Sequence, residues 1–245
     1  MQAHASGTNT SSVPCPTTSN RESTMTSAPR RRLPTALLVP LVAVATVLLA
    51  TMMPHTPDLQ ASSASADDPA WLQALDAPHR MLFDAAQPGG GVPLVHVLNY
   101  YESWKQAEGI GDDEIDAVVA LYGGTTLHGL DDAMWTKYGL GEMMGQNDPD
   151  GAAYTRNPWR VDPVFDGATV APAGIEPLAA RGATFIMCNN ALTYFAGKVA
   201  GAHGLEADDV YADMREHILP QVTLVPAMVV AIDQAQVAGV SYHRQ

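Results

Sequence analysis

From residue 69 onward, short apolar runs alternate with stretches whose apolar residues recur every three or four positions. In residues 69–86, Trp71, Leu72, Leu75, Met81, Leu82 and Ala85 recur at helical spacing and predict a helix that Pro78 breaks or restarts. Gly89, Gly90 and Gly91 stop it. Residues 92–98 form an apolar run that predicts a buried strand, and residues 99–108 predict a helix that Gly109 ends. Residues 115–122 predict a second buried strand, closed by Gly123 and Gly124. A helix over 130–138 carries Asp131 and Asp132 in its first turn, where the helix dipole favours negative charge. Residues 139–170, with their Gly, Asn, Asp and Pro, predict a long loop, a length usually tied to function or mobility.

After Gly174 the same alternation continues. The pattern predicts a short helix over 175–181, a strand over 183–187 that ends at Cys188, and helices over 191–202 and 206–218. A strand over 222–225 follows, and Pro226 opens a helix that runs to about Ala238. A last strand spans 240–243. These strands are too apolar to be half exposed. They imply an α/β fold: one small, mainly parallel sheet with helices on both faces. Ligands on such sheets collect beyond the C-terminal strand ends.

The pattern upstream is different. Residues 1–29 are rich in Ser, Thr, Ala, Asn and Pro and hold no apolar period, so they predict disorder. Arg30, Arg31 and Arg32 precede an uncharged apolar run over 33–53, and Ala64-Ser65-Ala66 stands before Asp67. A basic region, an apolar region and a small-residue site together read as a secretory signal peptide. The chain therefore divides into a disordered, basic region (1–32), a signal and cleavage region (33–66) and one domain (67–245). Export to the periplasm or another extracytoplasmic space is expected, with no stable membrane contact after cleavage. The run is also long enough to span a bilayer, so a membrane anchor formed by 33–53 is the alternative. The arginines suit both the general and the twin-arginine routes, and Met25 offers a second start.

Charge narrows the possible partners. Residues 67–245 hold 9 Lys and Arg against 24 Asp and Glu, a net charge of −15. Binding nucleic acid through its phosphates is excluded on that balance. Cys15 lies upstream of the apolar run, so the domain holds one thiol, Cys188, and no internal disulfide.

Candidate chemistry is sparse. The dinucleotide, Walker, nucleophile-elbow and zinc-protease motifs are absent. The glycine cluster 89–91 precedes a predicted strand, whereas a phosphate loop must follow one, so it reads as a turn. Cys188 ends a strand before a helix, and the positive end of that helix favours thiolate. A small buried hydrophobe is the other reading of this residue. Asn189 and Asn190 are positioned to bind an anion or to cap the helix. His128 follows the second strand near the same edge and suits a base, a ligand or a structural role. No metal site and no cofactor are expected. Tyr154 and Trp159, aromatic anchors in the polar loop, point to a self-association surface or to rings that pin the loop to its own core.

The stretch 183–242 resembles the C-terminal half of DsrE-like proteins. It includes Phe-Ile-Met-Cys-Asn-Asn-Ala-Leu and Val-Thr-Leu-Val-Pro-Ala-Met-Val-Val-Ala-Ile-Asp-Gln-Ala-Gln-Val-Ala-Gly-Val-Ser-Tyr. Ala-Pro-His-Arg-Met-Leu-Phe-Asp (77–84), Asp-Asp-Ala-Met-Trp-Thr-Lys-Tyr-Gly-Leu-Gly (131–141) and Thr-Arg-Asn-Pro (155–158) resemble an exported branch of that family. The resemblance covers most of 71–243. It implies flavodoxin-like layering of a small parallel sheet and homo-oligomers, trimers and hexamers among them. Some members carry sulfur as a cysteine persulfide, on a cysteine that ends a strand before a helix, and Cys188 occupies the matching position. Where those members carry basic residues in the following helix, this chain has Tyr194, Phe195 and Ala196. Two functions are therefore expected. One is a thiol sulfur carrier using Cys188, with a donor or acceptor protein or a small thiol as partner. The other is a non-catalytic ligand-binding or oligomeric assembly module.

Overall fold

The computed structural model describes residues 68–245. The expected disordered region, the expected signal peptide and the alternative of an anchor all fall on residues 1–67, outside the described residues. Within them, no helix is long and apolar enough to cross a membrane.

A short helix α1 (Ala70–Gln73) leads into strand β1 (His79–Ala85), helix α2 (Val92–Glu108) and strand β2 (Ile115–Leu121). A 3-10 segment (Gly123–Gly129), α3 (Asp132–Tyr138) and α4 (Leu140–Met144) follow. A two-stranded hairpin, β3 (Val164–Phe165) with β4 (Ala168–Thr169), precedes α5 (Ile175–Ala180). The chain then forms β5 (Thr184–Cys188), α6 (Asn189–His203), α7 (Ala207–Glu216), β6 (Val222–Val225), α8 (Met228–Val237) and β7 (Ser241–Arg244). The main sheet has the order β6-β5-β2-β1-β7, and every pairing in it is parallel. The α/β reading therefore holds.

Two elements differ from the sequence pattern. Residues 79–85 form β1, not the second half of a helix. Met81, Leu82 and Ala85 match a helical period, but β1 lies inside the sheet and both its faces are buried. Leu82 packs on one side, and Phe83 and Ala85 on the other. A strand covered on both faces shows no alternation, so its apolar run is easily mistaken for a helix. Conversely, residues 92–98 are the first half of the 17-residue α2, not a strand. Pro93 sits in its first turn, where a missing N–H breaks no helical bond. The buried Pro93, Leu94, Val97 and Tyr101 form its inward stripe. The predicted loop 139–170 contains α4 and the hairpin but is otherwise irregular.

The two faces of the sheet are covered unequally. Phe83, Val119, Phe185 and Met187 point into a large core roofed by the six helices α2 to α7. Leu82, Val118, Ala120, Ile186, Cys188 and Val225 point the other way, into a smaller core. Trp71, Leu72 and Leu75 around α1, with Met228, Ala231 and Ala235 of α8, cover that smaller core. The chain steps from β1 through β2 and β5 to β6, then returns across the second face to place β7 on the far side of β1. Strand order reverses between β1 and β7, and such reversals are where open α/β sheets bind ligands.

Candidate functional site

Cys188 ends β5 and is the N-cap residue of the 15-residue α6. Strand alternation turns its neighbour Met187 into the large core and Cys188 into the small one. Its sulfur accepts the backbone N–H of Met228 at 3.4 Å. Met228 is the first residue of α8, so the sulfur of the α6 N-cap residue meets the N-terminus of α8. Cys188 is 7% exposed and lies at the floor of a cleft of about 550 Å³. Tyr122, Tyr194, Phe195, Met228 and Val229 wall this cleft, and no Asp, Glu, His, Lys or Arg lines it.

The asparagines take different places. The Asn189 Oδ1 accepts the Tyr211 hydroxyl at 2.6 Å, which ties this side chain to α7. Asn190 is exposed and stands at the rim of the Cys188 cleft. Neither caps α6; Cys188 holds the cap position and makes no side-chain capping bond.

His128 lies in the 3-10 segment after β2 and is completely buried. It packs 4.3 Å from the Trp159 ring and 5.3 Å from the Trp135 ring, both part of the large core. Its Nδ1 lies 3.3 Å from the Thr125 carbonyl, and its Nε2 lies 3.0 Å from the Gln146 side-chain amide. A carbonyl partner makes Nδ1 the protonated nitrogen and Nε2 an acceptor, so an amide turned with its NH2 group inward satisfies the ring. Burial lowers the imidazole pKa to about 4. His128 and Cys188 are thus on opposite faces of the sheet, and the structure does not bring them together. Among the described residues, no group of three or more His, Cys, Asp and Glu could hold a metal ion.

The glycine cluster also differs from its sequence reading. It follows β1 and opens α2, the order a phosphate loop would have. Gly89, Gly90 and Gly91 all have positive φ, and a Cβ on Gly91 would meet the Val164 carbonyl at 3.0 Å. The adjoining cavity, about 350 Å³, is lined by Asp148 and Asp166 and by no Lys or Arg. Two carboxylates and no cation do not suit a phosphate group. Trp159 is buried and Tyr154 is half-buried, so both pin the long loop to the core instead of presenting a contact surface.

Sequence reasoning missed Asp84, a buried carboxylate near the end of β1 beside the strand-order reversal. The Tyr242 hydroxyl donates to its Oδ2, and Oδ1 is buried with no hydrogen-bond partner. Burial, followed by the Asp84 carboxylate, holds the Tyr122 phenol well above its usual range. Tyr122 also forms part of the Cys188 cleft, so the acid stands behind one wall of that cleft. The signal was an Asp closing the apolar run Met-Leu-Phe, hidden because those residues read as helix.

No family model and no curated protein matches the chain. Among solved structures it is similar to MTH1491 from Methanobacterium thermoautotrophicum, a protein of unknown function. Identity is 17%, the match covers 68% of this chain and 99% of that one, and the TM-score is 0.33. That likeness carries no argument about the site.

Proposed function

We propose that the chain is an exported sulfur carrier that holds one sulfane sulfur on Cys188. The observation that carries this reading is a cysteine at the start of α6 whose sulfur takes the first N–H of α8 at the floor of an open apolar cleft. In the step proposed, the Cys188 thiolate attacks the outer sulfur of a donor persulfide. The donor S–S bond breaks, the donor leaves as a thiolate, and a new S–S bond forms on Cys188. The thiol proton of Cys188 ends on the donor thiol, and no net oxidation occurs. Cys188 is the only cysteine among the described residues, so none of them can discharge it internally. Delivery therefore uses the thiol of a second protein or a small molecule. The apolar walls admit a slender donor and keep bulk water from the bound sulfur.

The test is alkylation of the folded protein, with Cys188→Ser as the blank. Incubation with a low-molecular-weight persulfide, followed by intact mass, measures loading. The reading expects Cys188 to be alkylated without denaturant and the gain of one sulfur atom in the wild type alone. A thiol that stays inert until denaturant is added overturns it. The second reading, a module whose cleft binds an apolar ligand, then stands. The uncharged cleft lining is the observation that favours it.

A further inference from the structure

The two stretches of sequence that supply most of the Cys188 cleft carry no Asp or Glu: the residues between Glu176 and Glu206, and those between Glu216 and Asp233. They include β5, α6, β6 and the first turn of α8. The fold sets the N-terminal turns of α6 and α8 on either side of the Cys188 cleft. The surface around that cleft is therefore an acid-free window on a domain of net charge −15. It is also apolar: Tyr194 is 62% exposed, Val229 73% and Val230 52%. Large exposed side chains of this kind, gathered in one place, mark contact surfaces.

Charges at the two flanks indicate what covers it. Lys198 lies one turn beyond Tyr194 on α6, with its Nζ 5.7 Å from the Tyr194 ring centroid. Asp233 lies one turn beyond Val229 on α8. Both are exposed, and neither is in an ion pair among the described residues. The cleft thus has a positive flank on its α6 side and a negative flank on its α8 side. Such a patch is self-complementary. A two-fold axis through the cleft sets α6 of one copy against α8 of the other and forms the Lys198–Asp233 pair twice. A basic partner would be drawn to the acidic remainder of the domain instead.

We infer that the partner of this face is a second copy of the chain, docked two-fold on the apolar rim so that each copy closes the other's Cys188 cleft. The inference does not require sulfur to be carried. It deepens that reading, because closure would shield a bound persulfide from water and from bulky thiols.

The test is light scattering on the protein as produced in cells from the full chain, over a range of concentrations. Folding of each variant is checked by circular dichroism. A two-copy species is expected for the wild type. Lys198→Asp or Asp233→Lys alone places like charges together twice and weakens association by about tenfold or more. The double variant, with both charges exchanged, restores it. Val229→Asp, at the centre of the patch, leaves a folded monomer. A wild type that stays monomeric at tens of micromolar, on the order of the weaker specific protein contacts, overturns the inference. So does an assembly that ignores all these variants, or a double variant no better than the singles. Reaction of Cys188 with a bulky maleimide separates the two proposals. If the dimer forms but Cys188 stays inert even in the Lys198→Asp variant diluted to the monomer, the sulfur-carrier reading fails and the docking surface stands.

Discussion

The region around His128 and the region around Cys188 both lie beyond the C-terminal ends of central strands, yet they are opposite kinds of environment. His128 is roofed by α3 and the long loop, sits between two tryptophan rings, and meets a polar group at each ring nitrogen. Cys188 lies beneath an open cleft, and its sulfur takes the first N–H of α8. The difference follows from coverage. Six helices cover the face on which His128 lies, whereas α8 and the short α1 cover the other. Burial satisfied on every side makes a residue structural, while incomplete cover leaves a place for chemistry. Changes at the first region should therefore appear in stability, and changes at the second in reactivity and association.

The largest stability effect is expected at Trp135. Its ring is fully buried against His128, and its Nε1 donates to the Leu127 carbonyl at 3.0 Å. Trp135→Ala should cost about 3–5 kcal/mol, from lost burial and from the cavity it leaves. Urea unfolding of wild type and variant measures it. A loss below about 1 kcal/mol, the range of surface positions, would break the contrast between the two regions.

A pH effect sharpens the same contrast. In the folded protein the His128 imidazole stays neutral down to about pH 4, whereas its ordinary value is 6.5. Between those values the unfolded chain binds the extra proton, so stability falls as the pH drops through that window. The full shift corresponds to roughly 3 kcal/mol, lost progressively between pH 6.5 and 4. Asp112, Asp162 and Asp213, whose values are lowered below 3.8, weaken the fold only at more acid pH. In His128→Asn the slope of stability against pH should flatten between pH 4 and 6.5. An unchanged slope would show that this imidazole is not held neutral by burial.

How legible these regions were in the sequence depended on the local pattern. Strand β6 (Val222–Val225) matched its prediction residue for residue, because Pro220 and Pro226 bracket a short apolar run. β5 and α6 were legible for a similar reason: the apolar residues change period at Cys188. β1 was not, because a strand buried on both faces loses its alternation. The N-terminal half of α2 was not, because its inward stripe begins with contiguous Val92, Pro93, Leu94 and Val95. Misreading these two elements also placed the glycine cluster before a strand and hid Asp84 inside a helix. Cys188 could be placed at a strand end, but which face it joins depends on register. One residue of slip would have put it in the large core and Met187 in the small one. The Met228 N–H comes from a residue 40 positions away, and local spacing does not encode such a contact.

The smallest effect is expected at the buried carboxylate on the Cys188 side. Asp84 takes the Tyr242 hydroxyl on one oxygen and leaves the other without a partner, in a wall shared with Tyr122. Tyr242→Phe removes a donor to an ionisable acid and nothing else of that size. A hydrogen bond to a charged group contributes about 1.5–3 kcal/mol when buried. Tyr242 is partly exposed and stands on the edge strand β7, where water can replace its hydroxyl. The expected loss is therefore nearer ~1 kcal/mol, well below that at Trp135. A loss as large as that of Trp135→Ala would mean that the thinly covered face is held as tightly as the other, and that coverage does not separate the two regions.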